Sequence, residues 1–278
     1  MSVQTKNTQA CFLAPIHAPK FNYGLNFIKS YNQFYSDDHI FLVFSSQAER
    51  YQFAQLAKGL RYQSIVYDNP RSVDGIITEK KYYGLRYIFN FTDIINVGVV
   101  DVDTDFFRTV DYSELFANYY QRGIIWGNPY DFCPTPIAEG PLRFFNNEDK
   151  KKLIKITQNC RAYFWFNDIP VYNRTHFLNF LKYINYNKRC KELIWFDFDF
   201  IPYAYYLLAK GYFKLNPFEI GEGKYLNNIL VEDQYLIDPA LFEKLYGLCK
   251  PMWIKKEIDE KFMENTFMHL HLDRLPDA

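Results

Sequence analysis

The chain has 278 residues, with 32 basic and 32 acidic side chains and therefore no formal net charge at pH 7. This length suffices for one enzyme-sized domain that buries a core without disulfide or metal staples. The balanced charge disfavours nucleic acid as a partner, because it provides no overall field that attracts phosphates. The aromatic content of 20% suits a packed core, and it also suits sugar binding, since ring faces stack on sugar C–H surfaces.

The cysteines and the N-terminal segment indicate where the protein resides. The 5 cysteines are scattered and show no C-x-x-C spacing, which is typical of reduced thiols in the cytoplasm. Residues 1–10 lack the apolar core of a signal peptide, and no apolar run reaches the roughly 18 residues that span a bilayer. We therefore expect a cytoplasmic protein without a transmembrane segment. Peripheral association with the inner face of a membrane is compatible with these features.

The first hundred residues alternate between strand and helix patterns. The predicted elements, in chain order, are strand 10–15, helix 25–35, strand 39–44, helix 49–59 capped at Ser45-Ser46, strand 64–67, helix 78–89 and strand 93–100. This alternation predicts an α/β fold with a parallel sheet between helices.

The second half has the same mixture of patterns without an internal repeat or a low-complexity linker. Its predicted elements are helix 113–122, strand 123–127, a loop rich in Pro and Gly over 128–145, helix 148–158, strand 162–166, helix 174–185, strand 192–196 and helix 197–210 ended by Gly211. We expect one domain with two halves, about 10–107 and 108–278.

A buried strand that ends in acids is the most informative motif. Residues 97–100 are small or β-branched, and Asp101, Asp103 and Asp105 follow. Open α/β sheets hold ligands at the carboxyl ends of their strands, and Mg²⁺ or Mn²⁺ is commonly shared between carboxylates and a diphosphate. The motif predicts a metal–diphosphate site. The alternative is a solvated turn or a cap for the next helix.

The segment from Val99 to Phe106 resembles the signature of GT-A fold glycosyltransferases, in which an apolar strand ends in Asp-x-Asp. Asp101 and Asp103 match that pair, although Asp105 stands where an apolar residue is usual, so the register Asp103–Asp105 stays open. The resemblance implies a GT-A-like fold with a Rossmann-like mixed or parallel central sheet, of the bacterial surface-polysaccharide or large-DNA-virus type. It also implies Mn²⁺ or Mg²⁺ as cofactor, a nucleoside diphosphate sugar donor, most readily a UDP-sugar, and a glycan or glycolipid hydroxyl as acceptor.

The resemblance also assigns metal ligands. Asp103 would bind the ion directly, and Asp101 would contact the ribose, the ion or a metal-bound water. A C-terminal histidine often completes this shell, and His269 and His271 are the two candidates in this chain. A separate zinc site is the less favoured alternative, since further ligands are lacking nearby, and two ordinary histidines in a strand are the other.

A second Asp-x-Asp, Asp197 and Asp199, precedes a predicted helix. It resembles the acid that deprotonates the acceptor hydroxyl in inverting GT-A enzymes, which requires hydrogen-bond reach of that hydroxyl. Asp199 is the first candidate for this base, Asp197 the second and Asp233 a further one. Two alternatives remain open: these acids cap the helix, or they are the metal motif themselves.

Several other side chains stand where GT-A proteins hold the donor. His17 follows the first predicted strand and Asp68 the third, and both would contact the nucleotide. Lys80, Lys81 and Arg86 would meet phosphates or remain solvated on a helix face. Three tryptophans would form the floor of a sugar subsite or pack in the core: Trp126, Trp165 and Trp195.

Together these features predict a metal-dependent glycosyltransferase of surface glycan synthesis. The first alternative is another metal-dependent diphosphate enzyme, a nucleotidyltransferase or phosphosugar transferase, which would normally carry a Gly-rich or Lys-rich phosphate loop that the sequence lacks. The second alternative is a non-catalytic carbohydrate-binding protein. Fold alone does not decide between these functions.

Overall fold

The computed structural model describes residues 9–102, 104–106, 109, 111–127, 135–158, 170–217, 219–220, 224–225 and 269–271. The strands are β1 (Ala10–Pro15), β2 (Ile40–Phe44), β3 (Gln63–Val66), β4 (Asn96–Val99), β5 (Thr104–Phe106), β6 (Ile124–Gly127), β7 (Val171–Asn173), β8 (Lys214–Pro217), β9 (Glu219–Ile220), β10 (Lys224–Tyr225) and β11 (His269–His271). The helices are α1 (Phe21–Phe34), α2 (Gln47–Leu56), α3 (Ile76–Phe91), α4 (Tyr112–Arg122), α5 (Thr135–Glu139), α6 (Asn147–Ile156), α7 (Arg174–Tyr183), α8 (Tyr186–Arg189) and α9 (Phe200–Ala209).

The centre of the fold is a five-stranded sheet with the order β3-β2-β1-β4-β7. β1 to β4 run parallel, and β7 pairs antiparallel with β4. The predicted α/β fold with a mostly parallel sheet is confirmed. After β3 the chain crosses over through α3 to β4, on the other side of β1. Such a reversal of strand order opens a crevice at the carboxyl ends of β1 and β4, where open α/β sheets bind ligands.

Both faces of the sheet are buried, as the continuous apolar strands predict. Every residue of β1 is buried, and its side chains alternate between two clusters. Cys11 and Leu13 pack in the cluster that includes residues of α3, α7 and α9. Phe12 and Ala14 pack in the cluster with residues of α1 and α4. The sheet therefore forms the middle layer of a three-layer fold.

Local signals set the ends of several helices. The side chain of Ser46 accepts a hydrogen bond from the Glu49 backbone N–H at 3.1 Å, so the predicted serine cap of α2 is confirmed. Asp111 caps α4 in the same way, with the Glu114 N–H at 3.0 Å. Gly123 ends α4 with a φ of 60°, a conformation that glycine adopts without steric cost.

Two predicted segments are wrong. Residues 192–196 are no strand; the chain makes a 3₁₀ turn at Cys190–Glu192 and continues as an irregular loop to residue 199. Ile194, Trp195 and Phe196 are exposed there, so the apolar run does not mark a buried strand. The predicted loop 128–145 contains α5 and a 3₁₀ helix at Gly140–Phe144, since proline is tolerated in the first turn of a helix. The predicted strand 162–166 lies outside the described residues.

Short strand pairs lie beside the main sheet. β5 pairs antiparallel with β11, and β6 pairs parallel with β8. The first pair brings the C-terminal His-x-His backbone alongside the segment that follows the acidic motif. Within the described part of the chain, no helix combines the length and apolar character needed to cross a bilayer.

Candidate functional site

A lysine joins the two acidic motifs. Lys81 lies on α3, and its Nζ is 3.2 Å from Oδ1 of Asp101, in the turn after β4. The same Nζ is 3.0 Å from Oδ1 of Asp199, which directly precedes α9. The structure thus brings together three predicted site residues from distant parts of the chain. They meet at the carboxyl end of β4, beside the crevice that the sheet order creates.

The three side chains differ in exposure, and the difference separates their roles. The side chain of Asp101 is 49% exposed, whereas those of Lys81 and Asp199 are 11% and 2% exposed. Burial alone lowers the pKa of Lys81, but the charges of Asp101 and Asp199 outweigh it and raise that pKa above the ordinary lysine range. The ammonium group therefore stays charged, and Asp101 is the member of the cluster that reaches solvent.

Both carboxylate oxygens and the backbone carbonyl of Asp199 have partners. Its Oδ2 accepts a hydrogen bond from the hydroxyl of Tyr172 on β7, and its backbone carbonyl accepts one from Tyr82 of α3 at 2.7 Å. Burial, followed by the charge of Asp199, raises the pKa of both tyrosines well above the usual value, so both remain donors. Asp199 stands at the N-cap position of α9, yet its side chain makes no capping hydrogen bond. The capping alternative therefore does not describe this side chain.

Asp197 has a different environment from Asp199. It is fully buried, and both of its carboxylate oxygens bind the guanidinium of Arg143, with Oδ1 at 2.7 Å from Nη1. Oδ2 also accepts the Ile194 backbone N–H at 2.8 Å. The hydroxyl of Thr78 on α3 donates to its backbone carbonyl at 2.6 Å. These contacts fix the loop that carries Asp199, and they occupy the Asp197 carboxylate.

A second charged cluster lies at the ends of β1 and β2. Lys80 is buried rather than solvated; its Nζ donates to the Ile16 carbonyl and to Ser45 Oγ, the latter at 2.9 Å. Burial lowers the pKa of Lys80 to about 8, although the charge of Glu49 acts in the opposite direction. The pKa of His17 is also lowered, first by burial and then by the charge of Lys80.

Glu49 orders the loops around this cluster. Its Oε2 accepts the Ser45 backbone N–H at 2.8 Å, and its Oε1 accepts that of Ala18 at 3.1 Å. The sequence did not single out Glu49 as a site residue, although its place three residues after the capping serine marks a residue that can reach backbone donors near a helix start. His17 is thus held at the carboxyl end of β1, next to the crevice.

The remaining predicted site residues fall into two groups. Asp68 is exposed after β3 and accepts a hydrogen bond from the Asn69 amide at 2.8 Å. Arg86 lies 3.4 Å from the Asn187 side-chain oxygen. Trp195 is 62% exposed, so core packing does not account for it. Outside the described residues lie Asp103, Asp233 and Trp165, and likewise the side chains of Asp105, Trp126, His269 and His271.

Part of a metal site can be assessed from backbone and donor chemistry. β11 pairs with β5 so that His269 is opposite Phe106 and His271 is opposite Thr104, the residue after Asp103. Within the described residues no group of three or more His, Cys, Asp or Glu side chains is arranged to hold an ion. The half-exposed Asp101 carboxylate is a donor of the kind that Mn²⁺ and Mg²⁺ accept, although Lys81 pairs with it.

The sequence did not predict every member of the site. Tyr82, Tyr172 and Arg143 hold the two acids of the second motif, and no spacing in the chain marks them as partners. Their roles depend on the crossing of α3, β7 and the loop before α9. Of the three, only Tyr82 lies next to a predicted site residue in the sequence, since it follows Lys81 directly.

This geometry defines an open α/β protein with a charged acid–lysine–acid cluster at the switch point of its sheet. No protein-family model matches the chain, and no curated protein matches it.

Among the solved structures similar to the chain are three whose TM-scores are all below 0.5. They are mouse xyloside xylosyltransferase 1 in its apo form (TM-score 0.42, 9% identity, covering 95% of this chain and 97% of that one), the bifunctional glycosyltransferase WbbM in its apo form (0.48, 11%, 98% and 47%), and core-mannan synthase A from Aspergillus fumigatus in its Mn/GDP form (0.43, 12%, 78% and 74%). The chain spans less than half the length of WbbM. None of these likenesses identifies a function for this chain.

Proposed function

We propose that this protein is a glycosyltransferase that moves a sugar from a nucleoside diphosphate sugar, most readily a UDP-sugar, to a hydroxyl of a glycan or glycolipid. The observation that supports the proposal most is the contact of Lys81 with both Asp101 and Asp199. It links an acid at the nucleotide half of the sheet to an acid at the start of α9. A transferase must bring donor and acceptor together at one point, and this contact places the two acids next to each other.

On the donor side, the proposal uses the crevice beside β1 and β4. His17 and the loops fixed by Glu49 would contact the nucleotide, with Asp68 at the outer end of the neighbouring strand. Asp101 and Asp103, with His269 or His271, would hold Mn²⁺ or Mg²⁺. When bound, that ion would stabilise the negative charge that gathers on the leaving diphosphate.

Lys81 adds a fixed positive charge to this site. Its ammonium group is oriented by two carboxylates before any substrate binds, so little reorganisation is needed during reaction. Because two carboxylates balance this charge, Lys81 would orient Asp101 and Asp199, and the attraction for the diphosphate would come from the divalent ion. Lys80, which contacts the Ile16 carbonyl and Ser45, instead supports the loop after β1.

On the acceptor side, Asp199 is the better candidate than Asp197 for the acid that contacts a reacting hydroxyl. Both carboxylates are buried with both oxygens bound, Asp197 to Arg143 and Asp199 to Lys81 and Tyr172. Asp199 is preferred because Lys81 joins it to the half-exposed Asp101, and one of its contacts would have to open for a hydroxyl to reach it. Trp195 stands in the loop that leads to both acids, and its exposed ring can stack on the carbon face of an acceptor sugar. Asp233 remains a further candidate for the base.

A panel of nucleotide sugars tests the proposal. The protein is incubated with each donor in Mn²⁺, in Mg²⁺ or in EDTA, and release of nucleoside diphosphate is followed. We expect release with one class of donor, abolished by EDTA and by Asp103→Ala. The variants His269→Ala and His271→Ala should differ, with the ligating position requiring more Mn²⁺. Turnover that persists in EDTA, or the absence of turnover with every donor, would contradict the proposal.

A further inference from the structure

A cavity of about 480 Å³ lies at the opposite edge of the sheet from the candidate site. Asp38 and His39 directly precede β2, Gln63 is the first residue of β3, and Asp93 lies just before β4. These are the amino ends of the parallel strands. With a rise of about 3.3 Å per residue and strands of four to six residues, the cavity is roughly 13–20 Å from Lys81, Asp101 and Asp199, which form the carboxyl-edge cluster. It is therefore a separate site.

Two aromatic rings border this cavity. Tyr87 and Phe91 are four residues apart on α3, so they share one face of the helix. Their ring centroids are 5.1 Å apart with an interplanar angle of 47°. Phe91 is 74% exposed, the highest value among the large aromatic side chains described. An apolar ring left open beside a cavity has a hydration cost that a ligand face can remove.

The polar lining complements these rings. The carboxylates of Asp38 and Asp93 and the amide of Gln63 are hydrogen-bonding groups around the cavity, and Gln63 Nε2 donates to Asp38 Oδ2. The Nδ1 atom of His39 is buried and has no hydrogen-bond partner. Buried polar atoms normally find a partner, but this nitrogen is closed off from solvent, so the hydrogen-bonding groups available to a ligand are those of Asp38, Gln63 and Asp93.

The charge of the lining restricts the ligand. Among the described residues that line the cavity there is no Lys or Arg, whereas there are two acids. Phosphate, nucleotides and other anions are therefore disfavoured. Carboxylates and amides that accept and donate hydrogen bonds, next to exposed aromatic faces, match a neutral polyhydroxylated ring with an apolar face.

We propose that this cavity, named here the amino-edge site, binds an uncharged saccharide unit of a glycan by stacking on Phe91 and Tyr87 and by hydrogen bonding to Asp38, Gln63 and Asp93. The site goes beyond the proposed transferase and does not depend on it. A chain with two saccharide sites can hold one part of a polymer at the amino-edge site while another part is presented elsewhere.

Saturation-transfer NMR on the full chain tests this site. The probes are glucose, galactose, mannose, xylose and N-acetylglucosamine, each titrated to about 100 mM, a range that covers weak millimolar binding. We expect at least one sugar to bind, and its affinity to fall about tenfold or more in Phe91→Ala and in Asp93→Asn. The matched control is Tyr51→Ala, which removes a 61% exposed ring on α2 and should leave binding unchanged.

A second comparison separates this site from the carboxyl-edge cluster. Asp101→Asn should keep the Phe91-dependent binding, and Phe91→Ala should keep release of nucleoside diphosphate from the donor. The thermal midpoint of Phe91→Ala reports whether that variant is folded. Binding that is equal in wild type and Phe91→Ala, or no binding of any of the five sugars to the folded wild type, overturns the proposal.

Discussion

Lys81 Nζ lies 3.0 Å from Oδ1 of Asp199, and both side chains are largely shielded from water. The pair joins α3 to the loop before α9. Helix α3 belongs to the crossover that leads to β4, the strand that precedes the first acidic motif. The same ammonium group continues the contact to Asp101, whose carboxylate is half exposed. Lys81 thus has a buried partner, Asp199, and a half-exposed partner, Asp101. Substitutions at these three positions should therefore have different effects.

We predict that Lys81→Met lowers the free energy of unfolding by about 3–5 kcal/mol, because it leaves the buried Asp199 carboxylate without its cation. Urea denaturation followed by circular dichroism measures this change. Lys150→Met, on the exposed face of α6, is the matched control and should stay within about 0.5 kcal/mol of wild type. A loss below about 1 kcal/mol for Lys81→Met would contradict the ion pair.

Asp197→Asn should act on stability rather than on turnover. The substitution breaks the buried pair with Arg143, and we expect a loss of about 3 kcal/mol in unfolding free energy. Donor turnover per folded molecule should remain within a few-fold of wild type, whereas Asp199→Asn should reduce it by about 100-fold or more. Turnover measured at 10 °C, where both variants are expected to remain folded, checks this contrast. Equal losses of turnover would show that the two acids act together.

Part of the fold and of the site follows from sequence. The alternating strands and helices up to Val100 are confirmed, because each buried strand is a continuous apolar run and α2 starts at a serine cap. The placement of acids after β4 follows from the same pattern. The run Ile194-Trp195-Phe196 has the same apolar character, yet it forms an exposed loop. Apolar composition alone does not predict which segments pair with a neighbouring strand.

The partners of the acids could not be predicted. Lys80 and Lys81 are adjacent on α3, and their charge suggested a solvated or phosphate-binding face. Instead Lys80 contacts the loop after β1, and Lys81 contacts Asp101 and Asp199. Both are buried because α3 packs on the sheet and brings these two residues against the loops that carry their partners. That arrangement depends on tertiary packing, which the spacing of residues along the sequence does not predict.

The pH dependence of stability should reveal Lys80. Its folded-state pKa of about 8 is below the ordinary 10.5, so between these values the unfolded chain binds more protons than the folded chain. Stability due to this group therefore rises with pH across that window, by at most about 1.4 kcal/mol per pH unit. We measure unfolding free energy at several pH values for wild type and Lys80→Met. The difference, wild type minus variant, should rise from pH 8 to pH 10; a flat or falling difference would contradict the burial of a titrating ammonium.

Trp195→Ala tests the acceptor side. Because its ring is exposed, its removal should change the unfolding free energy by less than about 0.5 kcal/mol. The KM for the acceptor should rise about fivefold or more, while release of nucleoside diphosphate without acceptor stays unchanged. Leu56→Ala, another exposed apolar residue, on α2, is the matched control. A Trp195→Ala variant with wild-type KM for the acceptor would remove this ring from the acceptor surface.

The most direct test of the central claim is the donor turnover of Asp101→Asn. Asp101 is half exposed, so this variant should fold with a stability within about 1 kcal/mol of wild type. Asp74→Asn, an exposed acid in the loop before α3, is the matched control. We expect Asp101→Asn to lose about 100-fold or more of the Mn²⁺-dependent release of nucleoside diphosphate, whereas Asp74→Asn should retain it. Wild-type release by a folded Asp101→Asn variant would contradict the claim that Asp101, at the donor side of the cluster with Lys81 and Asp199, takes part in donor binding.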